Sequence, residues 1–303
     1  MESSAMASNQ LEDIVAQIRQ HSARLDENSS VLEMRQHFDS LYDALAVPDG
    51  VRFVEGDEVP GLWTTFPGAR RNQAVLYLHG GGYVMHSPAQ YRTLTAALAL
   101  ETQREVFAVD YRRAPEHPFP HGLHDALNAY KWLLTRLGED PSIVIAGDSA
   151  GGGMAIALMM MCVHHGLPLP RGAFLISPWT DLSLSGDSIR SRAASDPVIT
   201  LAGLQNFAHA YLQEHQDPRH PLASPLFGDL SGLPPLLIHV GGNEVLLDDA
   251  TRIAANAANV GVETTLKVWP SMFHAWHMWH TQLPQAADAI RQAAVFIREC
   301  FSS

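Results

Sequence analysis

A serine in this chain stands in a setting suited to attack on a carbonyl group. Ser149 is the centre of GDSAG (147–151), between the apolar run 142–146 and the helix-like run 152–165. A serine on so sharp a strand-to-helix turn takes a strained backbone conformation, which small neighbours two positions away permit. The turn lifts the hydroxyl out of the sheet and places it at a helix N-terminus, where the N–H of Ala150 points the same way. The pattern therefore predicts Ser149 as a nucleophile.

A second glycine motif could stabilise the negative charge that this attack creates. HGGG (79–82) follows the apolar run 75–78 directly. A tetrahedral oxyanion needs backbone N–H groups that can approach closely, and consecutive glycines after a strand are the expected material. Each motif alone is a moderate signal. Both motifs in this order, each after its own strand, indicate a nucleophile with an oxyanion hole.

A serine of this kind requires a carboxylate and then a histidine further along the chain. Glu244 comes four residues after the predicted strand that ends at Val240, and His274 lies in the loop after the last predicted strand. The histidine would take the serine proton and return it to the leaving group, while the carboxylate orients the imidazole and stabilises its charged form. Asp248 is a rival for the acid, but its place directly before a helical run predicts an N-cap.

His274, His277 and His280 recur at a spacing of three, which raises the alternative of a zinc site. No His-Glu-x-x-His pattern accompanies them, and the tryptophans between them indicate an aromatic face. Cys162 and Cys300 are the only cysteines of the sequence; they have no metal-binding spacing and cannot form a disulfide framework. We therefore expect no metal, no cofactor and a reducing, cytoplasmic setting.

The elements that must position these residues alternate between strand and helix patterns. A hairpin-like segment, 51–67, comes first. The predicted strands are 74–78, 106–110, 142–146, 173–177, 235–240 and 264–268. The predicted helices lie near 89–101, 122–137, 152–165, 249–260 and 284–300. This alternation predicts an α/β fold whose central sheet is mostly parallel and flanked by helices.

Two segments outside this alternation predict a helical cap. Residues 10–44 have the apolar periodicity of two amphipathic helices. Between two core strands, a polar segment from Ser183 leads into an apolar-periodic helix that contains Leu204 and Phe207. An insertion on the side where active sites open is typical of a lid or cap, and we expect the N-terminal helices to pack with it.

Composition excludes several classes of function. The 303 residues include 20 Lys and Arg against 32 Asp and Glu, a net charge of −12, which argues against binding of nucleic acid. The longest apolar run, 154–163, is too short to span a bilayer. The first residues lack a basic stretch followed by an apolar one, so we expect no secretory signal.

With these motifs, the chain resembles the hormone-sensitive-lipase-like esterases of the α/β-hydrolase superfamily. The resemblance extends from about residue 50 to the end of the chain. It rests on HGGGY (79–83), DYRRAPEHPFP (110–120), GDSAGG (147–152), SPWTDLS (177–183), DP (196–197), HPLASPL (220–226), GLPPLLIHVG (232–241) and FHAW (273–276). So many motifs in the order of the family make the resemblance highly specific.

The resemblance implies an α/β-hydrolase fold and assigns a role to each site residue. Ser149 would be the nucleophile, His274 the general base and acid, and the N–H groups of Gly81, Gly82 and Ala150 the oxyanion hole. The implied domains are N-terminal cap helices 1–48, a first part of the α/β-hydrolase core 49–184, a cap insertion 185–216 and a second part of the core 217–303.

The acid is where the chain departs from the family pattern. The family usually has an aspartate at the position that Glu244 occupies in GGNEVLLD (241–248). Some family members carry glutamate there, so Glu244 is the predicted acid and Asp248 the alternative.

These features predict a serine carboxylesterase that cleaves short-chain acyl esters of small molecules through an acyl-serine intermediate. A lactone hydrolase and a natural-product deacetylase could use the same triad. The plant gibberellin receptors, which resemble this family, lack the histidine that His274 supplies here, which argues against a ligand receptor. An epoxide hydrolase or dehalogenase would need aspartate in place of Ser149. We expect no nucleic-acid partner and no membrane span, and a homodimer is left open.

Overall fold

A computed structural model of the chain describes residues 2–24, 29–70, 72–214 and 217–302. The expected cap segments include residues 1, 25–28 and 215–216, which lie outside the described residues, as do 71 and 303 of the expected core.

The described residues form one eight-stranded sheet with the order β1-β2-β4-β3-β5-β6-β7-β8. In chain order, the strands are β1 (Arg52–Glu55), β2 (Gly61–Thr65), β3 (Gln73–Leu78), β4 (Glu105–Val109), β5 (Ser142–Asp148), β6 (Gly172–Ile176), β7 (Leu236–Gly241) and β8 (Thr264–Trp269). The β1–β2 and β2–β4 pairs are antiparallel, and the other five pairs are parallel. The predicted α/β class with a mostly parallel sheet is confirmed.

Helices cover both faces of this sheet. They are α1 (Glu2–Ser22), α2 (Val31–Asp43), α3 (Arg92–Thr102), α4 (His121–Arg136), α5 (Ala150–His165), α6 (Ser188–Ser191), α7 (Leu201–Leu212), α8 (Leu247–Asn259) and α9 (Pro284–Cys300). The helix predicted near 89–101 begins as a 3₁₀ turn, Pro88–Tyr91, before α3. Ser87 accepts a hydrogen bond from Ala89 N there, so the chain turns locally before the α-helix starts.

The alternation of side chains along the strands explains why the sheet is covered on both faces. On β5, Ile143 and Ile145 pack into one hydrophobic core, and Val144 and Ala146 into the core on the opposite face. The first core includes side chains from α4, α5 and α8, and the second includes side chains from α1, α3 and α9. Strands buried on both faces need apolar residues at every position, which is the pattern of a parallel sheet.

The parallel strands all end at one edge of the sheet, where the loops that follow them meet. The loops begin at His79 after β3, Ser149 after β5, Ser177 after β6, Gly242 after β7 and Pro270 after β8. The predicted site residues belong to these loops or lie beside them.

Helices from two distant parts of the chain lie above this edge. Helices α6 and α7 form the insertion between β6 and β7. Nη2 of Arg19, on α1, donates to the carbonyl of Ala194 in the insertion at 3.1 Å. In the part of the chain that the structure describes, no helix is both long and apolar enough to cross a membrane.

Candidate active site

The backbone at Ser149 forms the sharp turn that the glycine pattern indicates. Its φ is 53° and its ψ is −122°, between the end of β5 and the first residue of α5. The N–H of Ser149 donates to Ile176 O at 2.8 Å. A Cβ on Gly147 would lie 2.6 Å from Gly151 O, and a Cβ on Gly151 would collide with Leu78 O. The turn therefore requires both glycines, and it holds Ser149 in a strained conformation.

The glycine loop after β3 turns back on itself beside Ser149. The φ angles of Gly81 and Gly82 are 105° and 62°, in the region that favours glycine. The N–H groups of Val84 and Met85 donate to Gly81 O at 3.0 and 2.8 Å and close the turn. Among the hydrogen bonds of the described residues, none uses the N–H of Gly81 or of Gly82. Both donors are therefore available to an oxyanion.

Asp148 holds this loop in place, a role that the motif analysis did not assign. Its Oδ1 accepts hydrogen bonds from Gly80 N and from the Tyr77 hydroxyl, both at 2.8 Å, and its Oδ2 accepts one from the Tyr91 hydroxyl at 2.9 Å. A Cβ on Gly80 would collide with this carboxylate, so the contact needs a glycine. Burial raises the pKa of Asp148, although the hydrogen bonds oppose the shift. An acidic residue inside GDSAG, next to the nucleophile, is the signal that could have identified it.

The predicted acid and base are in contact. His274 Nδ1 and Glu244 Oε1 lie 3.2 Å apart. Oε2 of Glu244 accepts hydrogen bonds from the Ser177 hydroxyl and from Gly241 N, both at 2.7 Å, and the carboxylate is fully buried. A carboxylate only accepts, so this contact places the proton of a neutral His274 on Nδ1. Nε2 is thereby left as the basic nitrogen.

The rival acid, Asp248, lies elsewhere, and the prediction that it caps a helix is wrong. Helix α8 begins at Leu247, with Leu246 as its cap residue. Because the helix starts earlier than the sequence indicated, Asp248 falls within its first turn. Its Oδ2 accepts from the backbone N–H of Ser188 at 2.9 Å. In the described ranges, it makes no hydrogen bond with His274.

Asp196 joins the insertion to the loop that carries the predicted acid. Its Oδ1 accepts from the N–H groups of Val198 and Ile199 at 2.9 and 3.1 Å. Its Oδ2 accepts from Val245 N, the residue after Glu244, at 3.0 Å. The sequence offered only the DP pair (196–197) as a family segment, with no role attached to the aspartate.

These groups meet in one cavity of about 310 Å³. Ser149, His274, Gly81 and Gly82 line it on the side of the sheet. Helices α1 and α2 contribute Ser22, Met34, Phe38 and Tyr42, and the insertion contributes Val198, Ile199, Thr200, Gly203, Leu204, Asn206 and Phe207. The predicted nucleophile, the predicted base and two predicted oxyanion donors therefore share one mostly apolar cavity.

The other histidines of the HxxHxxH segment have different partners. His277 Nε2 lies 3.2 Å from Nδ1 of His239, and His280 Nε2 lies 2.9 Å from the Thr93 hydroxyl. Burial lowers the pKa of His277 well below its usual value and that of His239 to about 3. Over the ranges that the structure describes, no three His, Cys, Asp or Glu side chains are grouped so that they could hold a metal ion.

Negative charges around His274 raise its pKa. Burial alone would lower the pKa, but the hydrogen bond and charge of Glu244, with the charges of Asp196 and Asp148, outweigh burial. The charged form of His274 is thus stabilised, as its predicted role of general base requires.

We expect ester hydrolysis to rise with pH, with a midpoint above the 6.5 of an unperturbed histidine. Only the neutral imidazole accepts the serine proton, and a raised pKa shifts its appearance to higher pH. The pH profile of kcat/KM measures this midpoint in the free enzyme. Asp196→Asn should lower the midpoint, and Asp288→Asn, at a half-exposed position of α9, should not move it. A midpoint below 6.5 in the unmodified protein would contradict the assignment.

The chain resembles known esterases over most of its length. Residues 75–278 match a family described as having the alpha/beta hydrolase fold. An acetyl-hydrolase of Streptomyces hygroscopicus is 42% identical over 274 residues, which cover 89% of this chain and 91% of the relative. An esterase of Acinetobacter venetianus is 35% identical over 243 residues, which cover 80% of this chain and 78% of the relative. The crystal structure of an esterase from the bacterial hormone-sensitive lipase family has a TM-score of 0.91 at 37% identity, covering 96% of this chain and 98% of that one.

Proposed function

Because the chain belongs to the α/β-hydrolase fold family, among its hormone-sensitive-lipase-like esterases, we propose that it hydrolyses short-chain esters through an acyl intermediate on Ser149. That it is a carboxylic ester hydrolase acting on small-molecule esters follows from its relatives. The roles of individual residues are our proposal. The observation that supports them most directly is the shared cavity of Ser149 and His274, with Glu244 in contact with His274.

In the first half of the reaction, the Ser149 hydroxyl attacks the ester carbonyl as Nε2 of His274 takes its proton. The carbonyl oxygen becomes an oxyanion and accepts hydrogen bonds from the N–H groups of Gly81, Gly82 and Ala150. The tetrahedral intermediate then collapses, the bond to the alcohol oxygen breaks, and His274 protonates the departing alcohol. Ser149 is left acylated.

In the second half, a water molecule attacks the acyl carbon while His274 removes its proton. The same N–H groups stabilise the second oxyanion. Its collapse releases the carboxylic acid and returns the proton to Ser149. Throughout, Glu244 keeps Nδ1 protonated and compensates the positive charge that His274 carries in each transition state.

The shape of the cavity supports a preference for short acyl chains. Its volume of about 310 Å³ is near the lower end of pockets that hold small ligands. Phe207 of α7 closes the space above the glycine loop, where a Cβ on Gly82 would collide with its ring. The described parts of the segments 1–48 and 185–216 supply this covering, and the two segments would act as the cap.

We expect p-nitrophenyl acetate, butyrate and hexanoate to be hydrolysed with roughly tenfold higher kcat/KM than the dodecanoate, because a chain that outgrows the cavity must displace cap side chains. Initial rates over the series measure this. Phe207→Ala should move the optimum to longer chains. Faster hydrolysis of the dodecanoate than of the butyrate by the unmodified protein would contradict the proposal.

Deacetylation is a second candidate, favoured by the relative that is named an acetyl-hydrolase. Acetyl esters of amino alcohols and sugars, with a few lactones, would separate it from general esterase activity. A cytoplasmic location and a homodimer stay predictions from the sequence.

A further inference from the structure

A second histidine–carboxylate pair stands at the wall of the cavity. His86 follows the glycine loop, and its Nδ1 lies 2.8 Å from Oδ1 of Asp39 on α2. Only 4% of the His86 side chain is exposed, against 27% of the Asp39 side chain. The pair thus joins an N-terminal helix to the loop that follows β3, with the imidazole on the inner side. The proposed mechanism does not use it.

The backbone of His86 adopts a conformation that glycine would adopt more easily. Its φ is 65°, in the left-handed region that residues with a side chain rarely enter. The carbonyl of His86 accepts a hydrogen bond from Nη1 of Arg113, which helps to hold this conformation. Strained residues of this kind persist where the surrounding structure imposes them, and they concentrate at functional sites. The protein therefore holds His86 in a strained conformation at the wall of the cavity.

The imidazole ring of His86 lies beside the glycine loop that follows β3. Cδ2, which is bonded to Nε2, lies 2.9 Å from where a Cβ on Gly81 would be. The ring of Tyr42 packs edge-on at 4.8 Å and that of Tyr91 at 6.1 Å. His86 lines the cavity, and within the described ranges its Nε2 has no hydrogen-bond partner.

We infer that His86 is a specificity-determining residue that binds a hydroxyl group on the ester, close to the scissile carbonyl. The inference rests on the proposed function. Because Asp39 takes the hydrogen bond from Nδ1, Nε2 accepts a hydrogen bond when the ring is neutral and donates one when it is charged. A hydroxyl group both donates and accepts, so it complements either form.

A second polar atom in the same cavity supports this substrate class. The Oγ of Ser22, at the end of α1, is buried and lacks a hydrogen-bond partner among the described residues. Ser22 also lines the cavity. Buried polar atoms without partners cost free energy, and a hydroxylated substrate could satisfy this one once the Ser22 side chain rotates toward the cavity. A purely aliphatic ester would leave both atoms unsatisfied.

Two matched pairs of esters test the inference and identify the side that carries the hydroxyl. In the first pair, p-nitrophenyl 3-hydroxybutyrate is compared with p-nitrophenyl butyrate, so the hydroxyl group is on the acyl side. In the second pair, 2-hydroxyethyl acetate is compared with propyl acetate, so the hydroxyl group is on the alcohol side. One hydrogen bond should give a three- to tenfold higher kcat/KM for the hydroxylated member of one pair.

Variants show whether His86 is the cause. His86→Gly removes the imidazole and suits the positive φ, so this variant should fold, and its ratio of kcat/KM should fall to about one. Asp39→Ala should reduce the ratio, because Nδ1 loses its acceptor. Asp43→Ala is the matched control: Asp43 lies one turn further along α2 and accepts from Gln90 Nε2 at 3.2 Å, so its loss loosens the same helix without touching His86. This control should keep the ratio.

Each outcome decides the matter. A preference in the unmodified protein that His86→Gly abolishes and Asp43→Ala retains supports the inference. No preference in either pair, or a preference that survives in His86→Gly, overturns it. If His86→Gly does not fold, His86→Ala, which has no polar side-chain atom and is no more strained at this φ than the parent, replaces it under the same criterion. Failure to hydrolyse any of the four esters would contradict the proposed function itself, whereas equal hydrolysis of each pair contradicts only the role of His86.

Discussion

Ser149→Ala should lower the rate of ester hydrolysis by about 10⁶-fold, because no acyl intermediate can form without the hydroxyl. The fold should be retained. No hydrogen bond within the described chain uses the Ser149 hydroxyl, so its removal leaves no buried partner unsatisfied. Alanine also has a Cβ, so the φ of 53° is as strained in the variant as in the parent. Hydrolysis of p-nitrophenyl butyrate and thermal unfolding of the two proteins measure both expectations.

Ser149→Gly is the matched control for the strain at this turn. It should be as inactive as Ser149→Ala but more stable by about 1 kcal/mol, since glycine adopts positive φ without cost. Substantial hydrolysis by a folded Ser149→Ala protein would contradict the mechanism. Equal stability of the two variants would show that the turn is unstrained.

Glu244→Gln should lower turnover by roughly 10⁴-fold, the scale known for neutralising a triad acid. The backbone N–H of Gly241 donates to Oε2 of Glu244, so in the variant the amide oxygen of glutamine should occupy the position of Oε2. Its NH₂ group then faces Nδ1 of His274 and forces the ring proton onto Nε2. In that tautomer, the imidazole cannot accept the serine proton. Single-turnover acylation with p-nitrophenyl butyrate measures this loss.

Asp248→Asn is the control, because it neutralises the rival carboxylate. In the unmodified protein, the Asp248 carboxylate accepts a hydrogen bond from Ser188 N on the insertion. The expected loss of rate in Asp248→Asn is therefore small. Glu244→Asp should recover part of the activity, since it restores an acceptor at a shorter reach. If Asp248→Asn proves inactive and Glu244→Gln retains turnover, the acid is misassigned.

Patterns of neighbouring residues were enough to predict the parallel sheet and the nucleophile turn. The apolar run 142–146 and the glycines at 147 and 151 act within a few residues of Ser149, so spacing alone carries their information. The order of strands then implies that loops after parallel strands share an edge, which brings His274 near Ser149 although 125 positions separate them.

Contacts between distant segments could not be predicted in this way. The bond from Gly80 N to Asp148 spans 68 positions, and the bond from Val245 N to Asp196 spans 49. Neither has a periodicity or a motif that links its two ends. The N-cap predicted at Asp248 is wrong because α8 begins at Leu247, and the local pattern of apolar residues does not fix that boundary.

The link between Asp196 and Val245 limits which residues of the insertion can change when the substrate range changes. The insertion that lines the cavity is held to the loop of Glu244 by the Asp196 carboxylate, which accepts from Val245 N, and by the hydroxyls of Ser188 and Ser195, which donate to Val245 O and Asn243 O. Apolar side chains of α7 that line the cavity can change to admit a different ester without touching these contacts, whereas changes at Asp196, Ser188 or Ser195 would loosen the loop that carries the proposed acid. The lining of the cavity and the position of the proposed acid are therefore coupled, and cap segments exchanged between relatives should keep Ser188, Ser195 and Asp196 together with the loop that they contact.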